Sequence, residues 1–452
     1  MPRAERGISS MKNKPKPSSD VLFQLNGVPS MTKALPLALQ HVVAMIIGCV
    51  TPAIIVANAA GLSGDDKVIL IQAALVVSAL STFLQLFPIG KKGGFQLGSG
   101  LPVIMGVSFA YVASMQAIAE QFDVATILGA EIVGGIIALI IGLFIDKIRV
   151  FFPPLVTGTV VFTIGISLYP TAIKYMAGGA GNEDYGSWQN WLVALITLAI
   201  VTFLNHYTTG FTKLASILIG IIIGYLVAWL GFGMVDFSSI GWAKFFQIPR
   251  IMHFGIHFDP ASCVAIGLLF AINAIQAIGD FTATTTGSMD REPTDNELKN
   301  AIVGYGLTNV IGSFLGGLPT ASYSQNVGIV TTTKVINRIV LGLAATILLI
   351  AGLVPKFSGL LTTIPQCVLG GATISVFASI AMTGIKLITT QEMSFRNTAI
   401  VGLAVALGVG ITNVPETLAS FPPMITTVFG KTPVVIATIV AVFLNLIFPK
   451  KN

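Results

Sequence analysis

Charge is what this chain lacks. Only 10% of its 452 residues are Asp, Glu, Lys or Arg, while 54% are hydrophobic; a soluble globular domain carries roughly 25% charged residues. With a mean hydropathy of +0.85, the deficit excludes a water-soluble enzyme or binding module and implies a polytopic membrane protein. Cysteine is scarce too. Cys49, Cys263 and Cys367 lie in or beside apolar runs at a spacing that matches no metal-ligand pattern, so they read as small apolar packers. No His/Asp/Glu/Cys cluster of the kind a membrane-embedded enzyme needs is present, and no Gly-x-x-x-x-Gly-Lys-(Ser/Thr) sequence that would power a pump. No segment is long enough for a separate soluble domain, and no cofactor is called for.

The net charge is +6, but its distribution does not call for nucleic acid. Arg3, Arg6, Lys12, Lys14, Lys16 and Lys33 precede the first apolar run, and Lys450 and Lys451 follow the last. Basic residues beside membrane spans mark cytoplasmic sides. Ala57-Asn58-Ala59 imitates a signal-peptidase site, yet the long polar lead and the first apolar stretch exceed the ~7–15 residues of a signal core. Residues 1–33 therefore read as a flexible cytosolic tail and 35–60 as a retained span.

Apolar stretches fall into two sets of seven. The first lies near 35–60, 68–87, 102–119, 126–145, 155–173, 190–206 and 214–232; the second near 262–280, 301–317, 326–337, 338–354, 367–387, 398–412 and 433–448. A full helical span needs about 20 residues. The 102–119 and 326–337 segments are short or carry Gly, Pro and Ser at their entrance, and each is third in its set. Paired interrupted segments at matching positions point to a transporter's binding site. An odd number of spans per set inverts the second relative to the first. The expected domains are thus a tail at 1–33, a first seven-span repeat at 34–232, an external connection at 233–260 and a second repeat at 261–452. With fourteen spans and both termini inside, nineteen of the 25 Lys and Arg residues fall on the inner side and six outside: Lys67, Lys174, Lys244, Arg250, Lys356 and Lys431. The external connection holds Trp242, Phe245 and Phe246, expected at the membrane interface.

Polar side chains concentrate at few places. After Gly316-Gly317-Leu318-Pro319, the chain runs Ser322-Tyr323-Ser324-Gln325-Asn326-Val327-Gly328-Ile329-Val330-Thr331-Thr332-Thr333-Lys334. Polar groups at an interrupted helix in a bilayer are costly and line a site for something polar. Gln276 and Asp280 are four residues apart in an apolar run and share a helix face; a carboxylate there costs roughly 2.5–3.5 kcal/mol on insertion scales. Asp280 reads either as a functional carboxyl or as the mark of its span's cytoplasmic end, and Gln276 either as a ligand group or as an interhelical hydrogen-bonder. Gly98 to Phe109 combines Gly, Pro and Ser108 before a half-helix whose free N–H groups suit carbonyl oxygens or an anionic ring. Gln40-His41 adds a polar pair to the first span. A side-chain amide presents a donor beside an acceptor, the complement of the alternating N–H and C=O edge of a uracil or oxopurine ring. Phe109 would cover such a ring's apolar face.

Gln325, Asn326, Gly328, Thr333 and Lys334 fill every fixed position of Gln-Asn-x-Gly-x-x-x-x-Thr-(Arg/Lys/Gly), and Gly279-Asp280-Phe281-Thr282-Ala283-Thr284 matches a second segment. By these motifs the chain resembles the nucleobase–ascorbate transporter family, from Gln40-His41 to the last span. The resemblance implies an all-α polytopic membrane protein of fourteen transmembrane segments in two inverted seven-span repeats. Spans one to four and eight to eleven would form a core domain and the others a gate, with broken third and tenth spans. It implies carriage of a purine base, xanthine or urate, by proton symport across the cell membrane, with a uracil permease or an uncoupled facilitator as alternatives. A homodimer is compatible with it. Gln325 and Gln276 would contact the base, and Phe109, Ser108 and Ser324 would line the pocket. His41 and Asn326 would shape affinity; Gly328, Thr333 and Lys334 would set the binding loop and specificity. Asp280 would carry the coupling proton. Gln276 departs from the glutamate common in the family and cannot titrate; Tyr305 stands where xanthine carriers have an aspartate. Gln325 and Lys334 resemble the purine branch. The missing carboxylate at 276 suits an anionic ring such as urate, because two like charges would repel. Sulfate and other anion transporters share a related architecture, against which the complete Gln-Asn-x-Gly signature speaks.

Overall fold

The computed structural model describes residues 21–91, 95–148, 151–237, 244–430 and 432–449. The expectations placed on residues 1–20, Trp242, Lys431, Lys450 and Lys451 lie outside the described residues.

The apolar runs form helices. In chain order these are α1 (Met31–Ala59), α2 (Gly64–Leu86), α3 (Val112–Gln121), α4 (Val124–Leu143), α5 (Pro154–Ser167), α6 (Tyr169–Met176), α7 (Trp188–Tyr207) and α8 (Ser216–Leu226). After the connection at 233–260 come α9 (Pro260–Met289), α10 (Asp295–Phe314), α11 (Ser324–Thr333), α12 (Arg338–Leu353), α13 (Pro355–Thr362), α14 (Gln366–Ile388), α15 (Phe395–Asn413), α16 (Pro423–Gly430) and α17 (Pro433–Ile447). Among the described residues, eight helices or collinear helix pairs are long and apolar enough to cross a membrane, and nine if the pair α12–α13, bent by 80°, counts as one. The chain is a multi-pass membrane protein. Local chemistry places the ends: Asp123 caps α4 by accepting from Thr126 N at 2.8 Å, and Thr294 and Glu297 form a capping box on α10.

The helices pack mainly within two groups. One contains α1–α4 and α9–α12, with α4 against α10 and α9, and α2 against α12. The other contains α5–α8 with α14, α15 and α17, centred on α14 against α5. Glycines allow the closest approaches. A Cβ on Gly165 of α5 would meet the backbone of Ala381 in α14 at 2.4 Å.

The expected tail at 1–33 is not all free. Val21–Phe23 forms a short 3-10 turn, Ile336 N donates to Leu22 O at 3.2 Å and Arg338 N to Leu25 O at 3.2 Å. Asn337 Nδ2 reaches Val21 O and Gly27 O. The apolar Val21-Leu22-Phe23 explains the docking, since Leu22 is buried in the core.

Two segments are not continuous helices. Gly100-Leu101-Pro102 and Gly317-Leu318-Pro319 repeat one tripeptide, and the residue before proline is pushed out of the helical region. Each leads into a short strand, β3 (Met105–Val107) and β4 (Thr320–Ser322); a separate pair, β1 (Ile89–Gly90) and β2 (Gln96–Leu97), lies just upstream of the first. Strands β3 and β4 pair antiparallel, with Met105 opposite Ser322, Gly106 opposite Ala321 and Val107 opposite Thr320. Non-helical backbone at membrane depth must satisfy its polar groups within the protein. Here α2 and α10 do so. Met105 N donates to Thr82 Oγ1 at 3.0 Å and Val107 N to Ser78 Oγ at 3.2 Å. Thr320 N donates to Asn309 Oδ1 at 2.7 Å. Gln85 accepts from Ser99 N and donates to Ala301 O. Gly98 lies against α2 with φ +99°, where a Cβ would sit 1.9 Å from Leu84 O, so only glycine fits.

Candidate functional site

Beyond the crossed strands, each chain turns into a ten-residue helix, α3 (through the 3-10 turn Phe109–Tyr111) and α11. Both turns face one cavity of about 290 Å³ between the two helix groups. Ser108, Phe109 and Ala110 line it from one strand exit, Ser322 to Gln325 from the other, and Gln276 from α9. The second group contributes Val161 and Ile164 from α5 and Ser379, Ile380 and Thr383 from α14. The volume is at the lower end of the roughly 300–1,000 Å³ of small-molecule sites.

Five sequence-selected residues meet here: Gln276, Gln325, Phe109, Ser108 and Ser324. Among the described residues, neither the Gln276 nor the Gln325 amide has a hydrogen-bond partner in the chain. Each presents an unspent donor and acceptor to the cavity. The N–H groups of Ser324 and Gln325, the first in α11, also have no acceptor among the described residues. The chain entering α3 and the start of α11 both border the cavity, and a helix N-terminus carries positive partial charge. Ser108 Oγ accepts from Ala110 N at 3.2 Å, holding the turn that presents Phe109. The Phe109 ring meets Phe377 of α14 edge-on at 5.3 Å, so an aromatic contact bridges the two groups beside the cavity.

Asp280 stands one layer behind. Its Oδ2 accepts from Ser322 Oγ at 2.5 Å and its Oδ1 from Ser324 Oγ at 2.9 Å. Both serines line the cavity and the carboxyl does not. His41 and Asn326 are elsewhere: both are buried, and Asn326 Nδ2 lies 3.1 Å from His41 Nδ1 and donates to His41 O at 3.2 Å. This pair ties α11 to α1 and does not line the cavity.

The rest of the signature runs away from the cavity. Gly328 is exposed, and a Cβ there would meet nothing within 4 Å. Thr333 Oγ1 donates to Ile329 O at 2.8 Å. Lys334 ends α11 with φ +61°, donates to Gly287 O near the end of α9, and lies 3.9 Å from Asp290 Oδ1. Asp290 ends α9 in the same left-handed conformation. Lys334 thus fastens the helix bearing Gln325 to the helix bearing Gln276.

Sequence reading missed the groups that hold the strands and the far wall. Ser78, Thr82 and Gln85 form a polar stripe at helical spacing inside α2, and Ser375, Ser379 and Thr383 form another in α14. Both stripes were available as signals. The repeated Gly-Leu-Pro was another.

A sequence profile of the Xan_ur_permease family, described as a permease family, matches residues 32–417. The chain belongs to the nucleobase–ascorbate transporter family. Its members are permeases, not enzymes. The xanthine permease of Bacillus subtilis is 34% identical over 92% of this chain and 94% of its own length. The uric acid permease PucJ of the same species is 33% identical over 93% of each. Escherichia coli K12 xanthine permease XanQ is 33% identical over 95% of this chain and 94% of its own. The fold extends further. The transmembrane domain of the cyanobacterial bicarbonate transporter BicA superposes with a TM-score of 0.61 over 91% of this chain and 98% of that one, at 17% identity. Murine Slc26a9, an anion transporter in an inward-facing state, gives 0.63 over 99% of this chain and 76% of that one, at 11% identity.

Proposed function

We propose that this permease is a secondary active carrier that takes up a purine base, xanthine or urate, together with a proton. The observation that carries this reading is the convergence of two unpartnered amides, Gln276 and Gln325, with the Phe109 ring on one small cavity. The amides match the alternating donors and acceptors on an oxopurine edge, the ring covers its face, and the positive helix starts favour carbonyl oxygens or an anion. Relatives named as xanthine and uric acid permeases support the same class of substrate.

In this reading the chain has fourteen membrane segments in two inverted seven-span repeats, 34–232 and 261–452, joined by the external connection 233–260. Five helices beyond those of full apolar length supply the remaining segments: α3, α10, α11, α17 and α8 with its Val227–Gly231 extension. α1–α4 and α9–α12 form the core domain and the other group the gate, with both termini cytoplasmic. Substrate lies between them, and access alternates as the gate rocks against the core around α14. Asp280 carries the coupling proton, since Gln276 cannot titrate, and signals its state through Ser322 and Ser324. His41–Asn326 and Lys334 position α11 without touching the base.

Gln276 favours one second reading, an uncoupled facilitator for small planar solutes. Uptake of labelled xanthine, urate and uracil into proteoliposomes, with and without an inward proton gradient, separates them. Purine accumulation that collapses with a protonophore is expected. Equilibration without concentration would establish the facilitator, and accumulation of uracil alone would overturn the purine assignment.

A further inference from the structure

Among the described residues, two carboxyl groups lie well inside an apolar span: Asp280 and Glu131 of α4. Asp280 has two serine partners. Glu131 has none: it is fully buried, and neither carboxyl oxygen has a hydrogen-bond partner among the described residues. A lone ionised carboxylate in such surroundings is costly.

The neighbourhood is specific. Glu131 shares its helix face with Gly134 and Gly135, three and four residues on. Gly134 presses on the Phe270 ring of α9, where a Cβ would meet it at 2.2 Å, and Gly135 lies on Gly306 O and Val310 of α10. This is the face where α4, α9 and α10 join. At the same junction, the hydroxyls of Tyr111 and Tyr305 hydrogen-bond each other, and Phe270 packs on both rings at 5.0 and 5.5 Å. Tyr111 closes the 3-10 turn whose first two residues, Phe109 and Ala110, line the cavity. Packed groups therefore run from the cavity wall through Tyr111 and Phe270 to the glycine-bearing face of α4 that Glu131 shares.

Other ionisable groups on the packed elements are removed from it. Asp280 is ten residues from Phe270 along α9, roughly 15 Å, and Cys263 lies about two turns the other way. Glu120 of α3 is exposed and accepts from Gln116. His257 is exposed and paired with Thr126. Asp295, Glu297 and Lys299 lie in the first turns of α10.

Resting on the proposed proton-driven transport, we propose that Glu131 is a second proton-binding site, read by the substrate loop through the Tyr111–Tyr305 pair. The pair holds two hydroxyl protons and spends one on its own bond. While Glu131 keeps its proton, the second hydroxyl has no anion to serve. When the proton leaves, the carboxylate draws a hydroxyl donor, the pair reorients, and the Phe109–Tyr111 turn moves with it. Base binding at Phe109 and proton occupancy at Glu131 are thereby linked.

The test is infrared difference spectroscopy on the membrane-reconstituted protein, with xanthine or urate binding measured on the same samples. Wild type should show the carbonyl band of a protonated carboxyl that shifts on base addition. One component of the band should be lost in Glu131→Gln, retained in Asp280→Asn, and displaced but present in Tyr305→Phe. A base-induced carboxyl spectrum that is the same in Glu131→Gln as in wild type, or that vanishes entirely in Asp280→Asn, overturns the proposal, as does bound base with no carboxyl response in wild type. If Glu131→Gln does not fold, Tyr305→Phe decides: an unmoved band counts against. If no base binds to wild type, the purine reading fails instead; a pH-titrated band dependent on Glu131 would still establish the proton site.

Discussion

Ser324 holds its hydroxyl 2.9 Å from Oδ1 of Asp280, on the residue that precedes Gln325 in the cavity wall. The Asp280 carboxyl and the Gln325 amide are thus separated by one peptide unit and one serine hydroxyl. A proton on Asp280 changes what Ser324 and Ser322 can donate to, and so changes the start of α11.

Asp280→Asn should abolish proton-driven accumulation while retaining base exchange down a gradient, because the amide keeps one acceptor oxygen for a serine, offers its NH2 to the other hydroxyl oxygen, and cannot titrate. Concentrative uptake and counterflow in proteoliposomes separate the two activities. Accumulation at the normal rate in this variant removes Asp280 from coupling.

Gln325→Ala and Gln276→Ala should each weaken base binding without loss of fold, since neither amide has a partner among the described residues. An unmade hydrogen bond to a buried polar group costs about 1–3 kcal/mol, which is about 5–150-fold in Kd. Calorimetric titration with xanthine checks this; unchanged affinity in both variants would take the base out of this cavity.

Gln276→Glu should lower urate uptake more than xanthine uptake, because a carboxylate facing an anionic ring adds like-charge repulsion. The readout is the ratio of the two initial rates at one pH. Urate uptake that improves relative to xanthine contradicts the charge argument.

Asn309→Ala should destabilise the protein by about 1–3 kcal/mol, because Thr320 N–H in the strand crossing loses its acceptor at membrane depth. Gly328→Ala, with open space around the new Cβ, is the control and should leave the melting temperature unchanged. Equal melting temperatures for the two would show that the strands do not depend on α10.

Lys334→Gly should keep α11 intact, since a left-handed φ of +61° suits glycine better than lysine, while releasing the tie to Gly287. The expected result is little change in base affinity and greater hydrogen exchange at the ends of α9 and α11. A large loss of affinity would place Lys334 in the substrate path.

Much of this was legible in one dimension. Spans follow from apolar length, and Gly-Leu-Pro with its following serines marks where helix must stop. Gln276 and Gln325 stand out because an amide in an apolar run needs a reason. Sequence spacing did not separate Gln325, which faces the cavity, from Asn326, which turns back to His41; adjacent residues on a helix point about 100° apart, and only packing says which way is the site. Nor did it separate Lys334 from the pocket: the signature is contiguous in sequence, but α11 carries its far end some 15 Å away.

By itself, the sequence determined that this chain lives in a bilayer, breaks its backbone at two matching places, and places polar groups there, because hydropathy, proline and helix period are local properties. Only tertiary structure decided that those breaks cross each other as paired strands, that α2 and α10 satisfy them, and that α5 and α14 close the cavity. It also brought Tyr111, Phe270 and Tyr305 together from three separate helical segments. Contacts between residues some 200 positions apart arise from packing complementarity, which no local pattern encodes.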